Sequence, residues 1–275
     1  ALSPFALAWI RVLCGALFFG VLFRVRGAPI PRRDVLRIAG CGLLGMAANQ
    51  VLFLGGLAHT AAINASVLVT TIPLFTFVFA VLAGQERLRI LTTLGIAFAF
   101  VGVLSLVGVE EASFGSTFLG DAMIVLNCMS YAAFLVLVRP LAQKHGSLAI
   151  VAIGFFTASL AVAPFGAPEI HTVSAATWTT WALVAYVVAI PTCAAYLINA
   201  WALRHATSSE VAIYIYLQPV VGVLLAVAVL DERTDLRGLV SIALVLVGIS
   251  LVVWRPKEKS EDAAEPKLAK PQQEG

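Results

Sequence analysis

The sequence predicts an all-α integral-membrane protein, an inverted-repeat helical bundle in which nine transmembrane helices of a five-plus-five set are present. Three observations predict it. The 275 residues are 60% hydrophobic and only 12% charged, with a mean hydropathy of +0.96; an average soluble domain is about 45–50% apolar and about 25% charged. Ten of the 33 charged residues fall in the last 21 positions, which leaves 23 for the first 254. The apolar residues come in uncharged runs of about 20, the length that crosses roughly 30 Å of hydrocarbon. A soluble enzyme or nucleic-acid binder is excluded, because a soluble fold of this size could not hide so much apolar surface. A β-barrel is excluded too, since the runs are continuously apolar and lack the alternation of barrel strands.

The uncharged runs place spans at 4–23, 36–57, 61–84, 90–108, 117–138, 147–166, 178–203, 208–230 and 237–254. Residues 38–85 carry no charge and are too long for one helix, so Ala58-His59-Thr60 is the expected break between two. Cys14, Cys41, Cys128 and Cys193 stand alone inside apolar runs, with no C-x-x-C or His-linked spacing, and read as small packing residues. The stretch from Lys257 to Gly275, rich in Lys, Glu, Pro and Gln, lacks apolar periodicity and reads as a disordered tail.

Basic residues set the orientation. With every span crossing and the C-terminal tail in the cytoplasm, 15 of the 18 Lys and Arg lie on the cytoplasmic side. Arg233 and Arg237 fall outside, and Arg11 lies within a span. This split supports a multi-pass protein of the cell (inner) membrane.

Comparing the chain with itself at an offset of 146 gives ten identities in 44 positions without a gap. His59 falls on His205, Pro73 on Pro219, Glu86-Arg87 on Glu232-Arg233, and Val101-Gly102 on Val247-Gly248. His59 belongs to the outer side and His205 to the inner, so the halves have opposite topology, a hallmark of secondary transporters. The implied organisation is a first repeat over 1–113, a second over 114–254 and the tail over 255–275. The offset maps 117–138 to positions before Ala1, so the expectation is that this chain lacks the first of ten helices.

Several motifs together resemble the EamA-like branch of the drug/metabolite transporter superfamily. They are Pro4-Phe5-Ala6-Leu7-Ala8-Trp9-Ile10-Arg11, Thr60 to Ala65 leading to Ile72-Pro73-Leu74, and Gly84-Gln85-Glu86-Arg87-Leu88 followed by Gly95 and Gly102. The second copy reads Gln218-Pro219, Asp231-Glu232-Arg233 and Gly248. The resemblance implies ten helices around a central cavity, with the fifth and tenth peripheral. It implies movement of small metabolites such as amino acids, sugars or nucleosides by alternating access, with no prosthetic cofactor. The expected partners are a small-molecule solute and the lipid bilayer, not nucleic acid, and a homodimer is an assembly this reading admits.

Polar side chains in the middle of the spans are the candidate substrate contacts. Asn127 and Tyr131, four apart, share a helical face; Tyr214 with Gln218 make a second and Tyr196 with Asn199 a third, with Asn49, Gln50, Thr70 and Thr71 completing the set. Amide and phenol groups can hydrogen-bond and stack on a small organic solute, or simply join helices. Arg11, about two turns into its span, either reaches backbone carbonyls or headgroups or attracts a solute carboxylate or phosphate. Pro73 and Pro219 are matched kink or hinge points. The pairs Glu86-Arg87 and Glu232-Arg233 read as ties between helix ends that gate the two sides. Glu210 and Asp121, each in a first turn, read as caps on the helix dipole. Two other functional classes carry different requirements. A lipid-headgroup enzyme or lipid-handling protein would need several catalytic groups at one depth, and His59, His145, His171 and His205 are scattered between faces. A structural membrane subunit would not need inward polar faces.

Overall fold

The computed structural model describes residues 3–107, 118–175, 177–230 and 236–254. The described residues are helical, without strands, and contain nine helices long and apolar enough to cross a membrane. We number them α1 (Pro4–Arg26), α2 (Arg32–Leu57), α3 (Ala62–Leu82), α4 (Ile90–Val107), α5 (Phe118–His145), α6 (Ser147–His171), α7 (Trp178–His205), α8 (Ser208–Leu225) and α9 (Leu236–Val253). The nine coincide with the nine expected runs, and the break at Ala58-His59-Thr60 separates α2 from α3. The sequence ended the fifth span at 138, whereas α5 continues through Arg139 and Pro140 to His145. Charge stops a hydrophobic segment but not a helix, and the basic end of α5 suits its C-terminal dipole.

Local chemistry sets the ends. Pro4 occupies the first turn of α1, where a missing N–H costs nothing. Thr207 and Glu210 form a capping box at the start of α8. Gly84 ends α3 and Gly146 joins α5 to α6; both have positive φ, 67° and 83°, which a side chain would strain.

Two main packing cores organise the bundle, beside a small third cluster in which Ala65 and Ile72 of α3 meet Ile124 and Cys128 of α5. The larger gathers α1, α2, α5, α6 and α7 around Phe19, Met46, Leu135, Phe155 and Leu203. The smaller joins α3, α4, α8 and α9 around Phe77, Val103, Tyr216 and Val245. In the smaller core α4 and α9 run antiparallel at backbone contact. A Cβ added to Gly95 would lie 2.7 Å from the Gly248 carbonyl, and one added to Gly102 would lie 2.9 Å from the Ser241 carbonyl. At the offset of 146 these two contacts are the same contact with the partners exchanged, as an isologous two-fold arrangement requires. Small residues let helix backbones approach where lipid supplies no hydrophobic force between helices.

Interruptions within the spans follow the same offset. Residues Leu43–Ala48 of α2 and Val188–Ala194 of α7 are π-helical, and 43–48 plus 146 is 189–194. In α3 the helix stops at Val69 and restarts at Ile72, with Pro73 in the first turn of the new piece. In α8 a 3-10 turn, Ile213–Tyr216, precedes Pro219. The prolines therefore sit just after a break or a change of pitch, where their missing N–H is tolerated, rather than kinking a continuous helix.

Candidate functional site

The π-helical segment of α2 builds the site. A π turn shifts the bonding register and leaves a carbonyl exposed inside the helix. Here the Ser130 hydroxyl of α5 donates to the Leu44 carbonyl at 2.9 Å, and the Tyr196 hydroxyl of α7 donates to the Gly45 carbonyl at 3.4 Å. No side chain fits at Gly45, because a Cβ there would meet the ring of Phe134 at 2.1 Å. The second π segment is stabilised from within: the Thr192 hydroxyl donates to the Val187 carbonyl at 2.8 Å, around Pro191.

Directly after the α2 segment, amides and phenols pair across the larger core. The Asn49 amide donates to Asn127 Oδ1 at 2.8 Å, joining α2 to α5. The Asn199 amide donates to the Tyr131 hydroxyl at 3.2 Å, joining α7 to α5. Asn127 is buried and Asn49, Tyr131, Tyr196 and Asn199 are partly buried. In this conformation the polar groups mostly satisfy one another, as buried polar groups must; Asn199 Oδ1 is buried without a partner. Aromatic contacts line these pairs, Tyr131 against Phe134 at 5.8 Å and Tyr196 edge-on to Phe155 at 5.2 Å.

Arg11 joins this region from α1. Its Nε donates to Thr192 Oγ1 at 2.9 Å. Thr192 lies fourteen residues from Trp178 and thirteen from His205, at the middle of α7. A guanidinium in mid-span costs about 2.5 kcal/mol or more unless it is compensated.

The structure brings Asn49, Asn127, Tyr131 and Tyr196 together and leaves Tyr214 and Gln218 apart. Those two are exposed on α8, Tyr214 lining a shallow depression of about 440 Å³ with Ile249, Ser250, Val253 and Trp254. At the end of the bundle that holds the α5–α6 turn, Glu86 accepts the Ser209 N–H of α8 at 3.1 Å, and the neighbouring Gln85 amide donates to the Val136 carbonyl at 2.9 Å. Arg87 is exposed. Glu232 and Arg233 lie outside the described residues, as does the tail. Asp121 accepts from Thr60 and Asn64, tying the α2–α3 connection to the start of α5.

Sequence reading missed a cluster at the Glu86 end. Asp34, 5% exposed, takes Lys144 Nζ at 2.7 Å and His145 Nε2 at 2.8 Å on one carboxylate oxygen. It latches the start of α2 to the end of α5. A charge count reads Asp34, Lys144 and His145 as loop residues; nothing in their 110-residue separation announces the contact.

Among the described residues no group of three or more His, Cys, Asp or Glu could hold a metal ion. What the site offers is hydrogen bonding, aromatic faces and one guanidinium, on helices whose pitch changes beside it. The model of the EamA-like transporter family matches residues 1–108 and 118–254. The chain belongs to the EamA-like transporter family. It is thus a multi-span membrane transporter of the drug/metabolite superfamily and not an enzyme. It is 27% identical to an uncharacterized transporter of Archaeoglobus fulgidus over 252 residues, 88% of this chain and 86% of that protein. It is 26% identical over 243 residues to a probable terminal-alkyne amino-acid exporter of Streptantibioticus cattleyicolor, 87% of this chain and 80% of that one. A solved crystal structure matches with a TM-score of 0.75 at 17% identity, over 92% of this chain and 88% of its own, a likeness of fold.

Proposed function

We propose that this EamA-like transporter exports small, amino-acid-like organic solutes across the cell membrane by alternating access, with its C-terminal tail in the cytoplasm. The observation that carries the reading is the pairing of amides and phenols: Asn49–Asn127 and Asn199–Tyr131 are hydrogen bonds between three helices that a solute's polar edge can replace one for one. Asn49, Asn127, Tyr131 and Tyr196 hold the solute, and Tyr214 and Gln218 supply a second edge of its path from α8. The matched π segments and the breaks before Pro73 and Pro219 are where helices change direction as one repeat rocks against the other. Glu86, bonded to the first turn of α8, and Arg87 belong to one gate, with Glu232 and Arg233 as the counterpart. The relative named as an amino-acid exporter supports the solute class and the direction. The concentration of 15 of 18 basic residues on one side supports the orientation.

The test is counterflow of labelled L-amino acids in proteoliposomes containing the full chain. Saturable flux, competed by unlabelled amino acids, is the expected result. Flux no greater than in empty liposomes would sink the solute class.

A further inference from the structure

Among the described residues Arg11 is the one cation in the middle of the bundle, and no described acid pairs with it. Five acidic residues are described. Asp34 is held by Lys144 and His145, Glu86 by the Ser209 N–H, Asp121 by Thr60 and Asn64, and Glu210 by its capping box. Glu169 belongs to the 3-10 turn Ala167–Ala175, beyond the α-helical part of α6. Among the described residues the ion pairs all centre on Asp34, and Arg11 joins none of them.

The guanidinium is nonetheless held. Thr192 takes its Nε–H, and Thr192 is itself fixed to the Val187 carbonyl. A guanidinium has five N–H groups; one is bound here, and the two Nη groups keep the parallel pair that matches a carboxylate. A side chain placed only to join α1 to α7 could do so with a neutral amide, without bringing a charge to the middle of α7.

Thr192, Tyr196 and Asn199 are spaced i, i+4 and i+7, so they follow one face of α7 over about 10 Å. Asn199 Oδ1 is a buried acceptor without a hydrogen-bond partner. The face therefore presents a cation at one end and an acceptor at the other, with a phenol between them.

We infer that Arg11 is the carboxylate-binding residue of this site, and that Asn199 Oδ1 accepts an N–H of the same solute. This rests on the transport reading above and sharpens it: the solute is an amino acid recognised through its carboxylate, not an amine or an amide.

The test uses the full chain in proteoliposomes, with counterflow of a labelled mixture of L-amino acids as the probe. Competitors come in matched sets with one side chain: the free amino acid, its amide and the decarboxylated amine. Free amino acids should compete at least about tenfold more strongly than their amides and amines, the factor expected when a charged hydrogen-bond partner is lost. In Arg11→Gln that preference should collapse, and Arg11→Lys should restore part of it; size-exclusion profiles and melting temperatures establish that each variant is folded. Should Arg11→Gln not fold, the wild-type preference and Arg11→Lys still decide the matter. Amides or amines competing as well as amino acids in the wild type would overturn this inference while leaving transport intact. So would an undiminished carboxylate preference in a folded Arg11→Gln. Absence of saturable flux for every probe would overturn the transport reading itself, and this inference with it.

Discussion

The two packing cores use opposite means to hold helices together in lipid. Between α4 and α9 there is bare backbone contact: Gly95 against the Gly248 carbonyl and Gly102 against that of Ser241, surrounded by Ile96, Ala99, Val245 and Ile249. Between α1, α2, α5 and α7 there are hydrogen bonds from Asn49 to Asn127, from Asn199 to Tyr131 and from Arg11 to Thr192, and an interrupted helix whose exposed carbonyls accept from Ser130 and Tyr196. Small-residue contacts are dispersive and leave nothing for a solute to bind. Polar contacts are weaker per pair in a membrane, about 0.6 kcal/mol on average, and can be traded for a solute's groups. Rigidity and exchangeability are thus assigned to different helices.

The largest effect is expected at the backbone contact. In Gly248→Leu the new Cβ would lie 2.5 Å from the Gly95 carbonyl oxygen and 2.6 Å from the Ala99 nitrogen, and neither can rotate away. Overpacking of this kind costs about 3 kcal/mol. The yield of monodisperse protein and its melting temperature should fall steeply, while KM for the solute stays unchanged in whatever fraction folds. A raised KM in that fraction would show that the two cores are not separate.

Next is the amide pair. Asn49→Leu leaves the buried Asn127 without its partner, a loss of about 1–3 kcal/mol. Replacing both by Leu should cost less than Asn49→Leu alone, because no orphaned amide remains. Denaturant titration of the two single variants and the double variant measures this. A purely additive cycle would mean that the Asn49–Asn127 bond contributes nothing, and the polar core would lose its defining link.

Solute affinity comes third. Asn127→Ala and Tyr131→Ala should raise KM by about 5- to 30-fold, equivalent to about 1–2 kcal/mol. Tyr214→Ala and Gln218→Ala, on the exposed face of α8, should raise it less. Uptake kinetics normalised to folded protein check this, and wild-type KM in all four would place the solute path elsewhere.

How much of this was legible in the sequence follows from the range of each interaction. A span needs only its own twenty uncharged residues, so all nine were readable, as was the capping of α8 by Glu210 three residues from Thr207. The pitch changes were not. A π turn differs from an α turn by one bonding position and has no compositional signature; Pro191, inside α7, is the single local hint. The faces Asn127–Tyr131 and Tyr196–Asn199 were readable from helical spacing, but not their partners. Asn49 meets Asn127 across 78 positions and Asn199 meets Tyr131 across 68. The exposure of Tyr214 and Gln218 was equally hidden, since periodicity gives a shared face but not what that face looks toward. The offset located the repeats, but the exchange of partners between α4 and α9 is visible only in the structure.

The smallest expected effect concerns glycines that touch nothing. A Cβ at Gly40 in α2 or at Gly222 in α8 would meet no atom within 4 Å, and both glycines are exposed. Alanine restricts the unfolded backbone and favours the helix, so each substitution should stabilise the protein by up to about 1 kcal/mol, about 2–4 °C in melting temperature for a chain of this size. The two sites differ in their surroundings. Gly40 precedes the π segment of α2 by three residues, and Gly222 follows Pro219 by three. If pitch changes are confined to the observed segments, Gly40→Ala and Gly222→Ala should both raise the melting temperature and leave the transport rate unchanged. A slower rate with unchanged KM in Gly222→Ala alone would extend the moving part of α8 beyond its 3-10 turn. Lower stability in either variant would mean that the position is covered by a neighbour in the membrane.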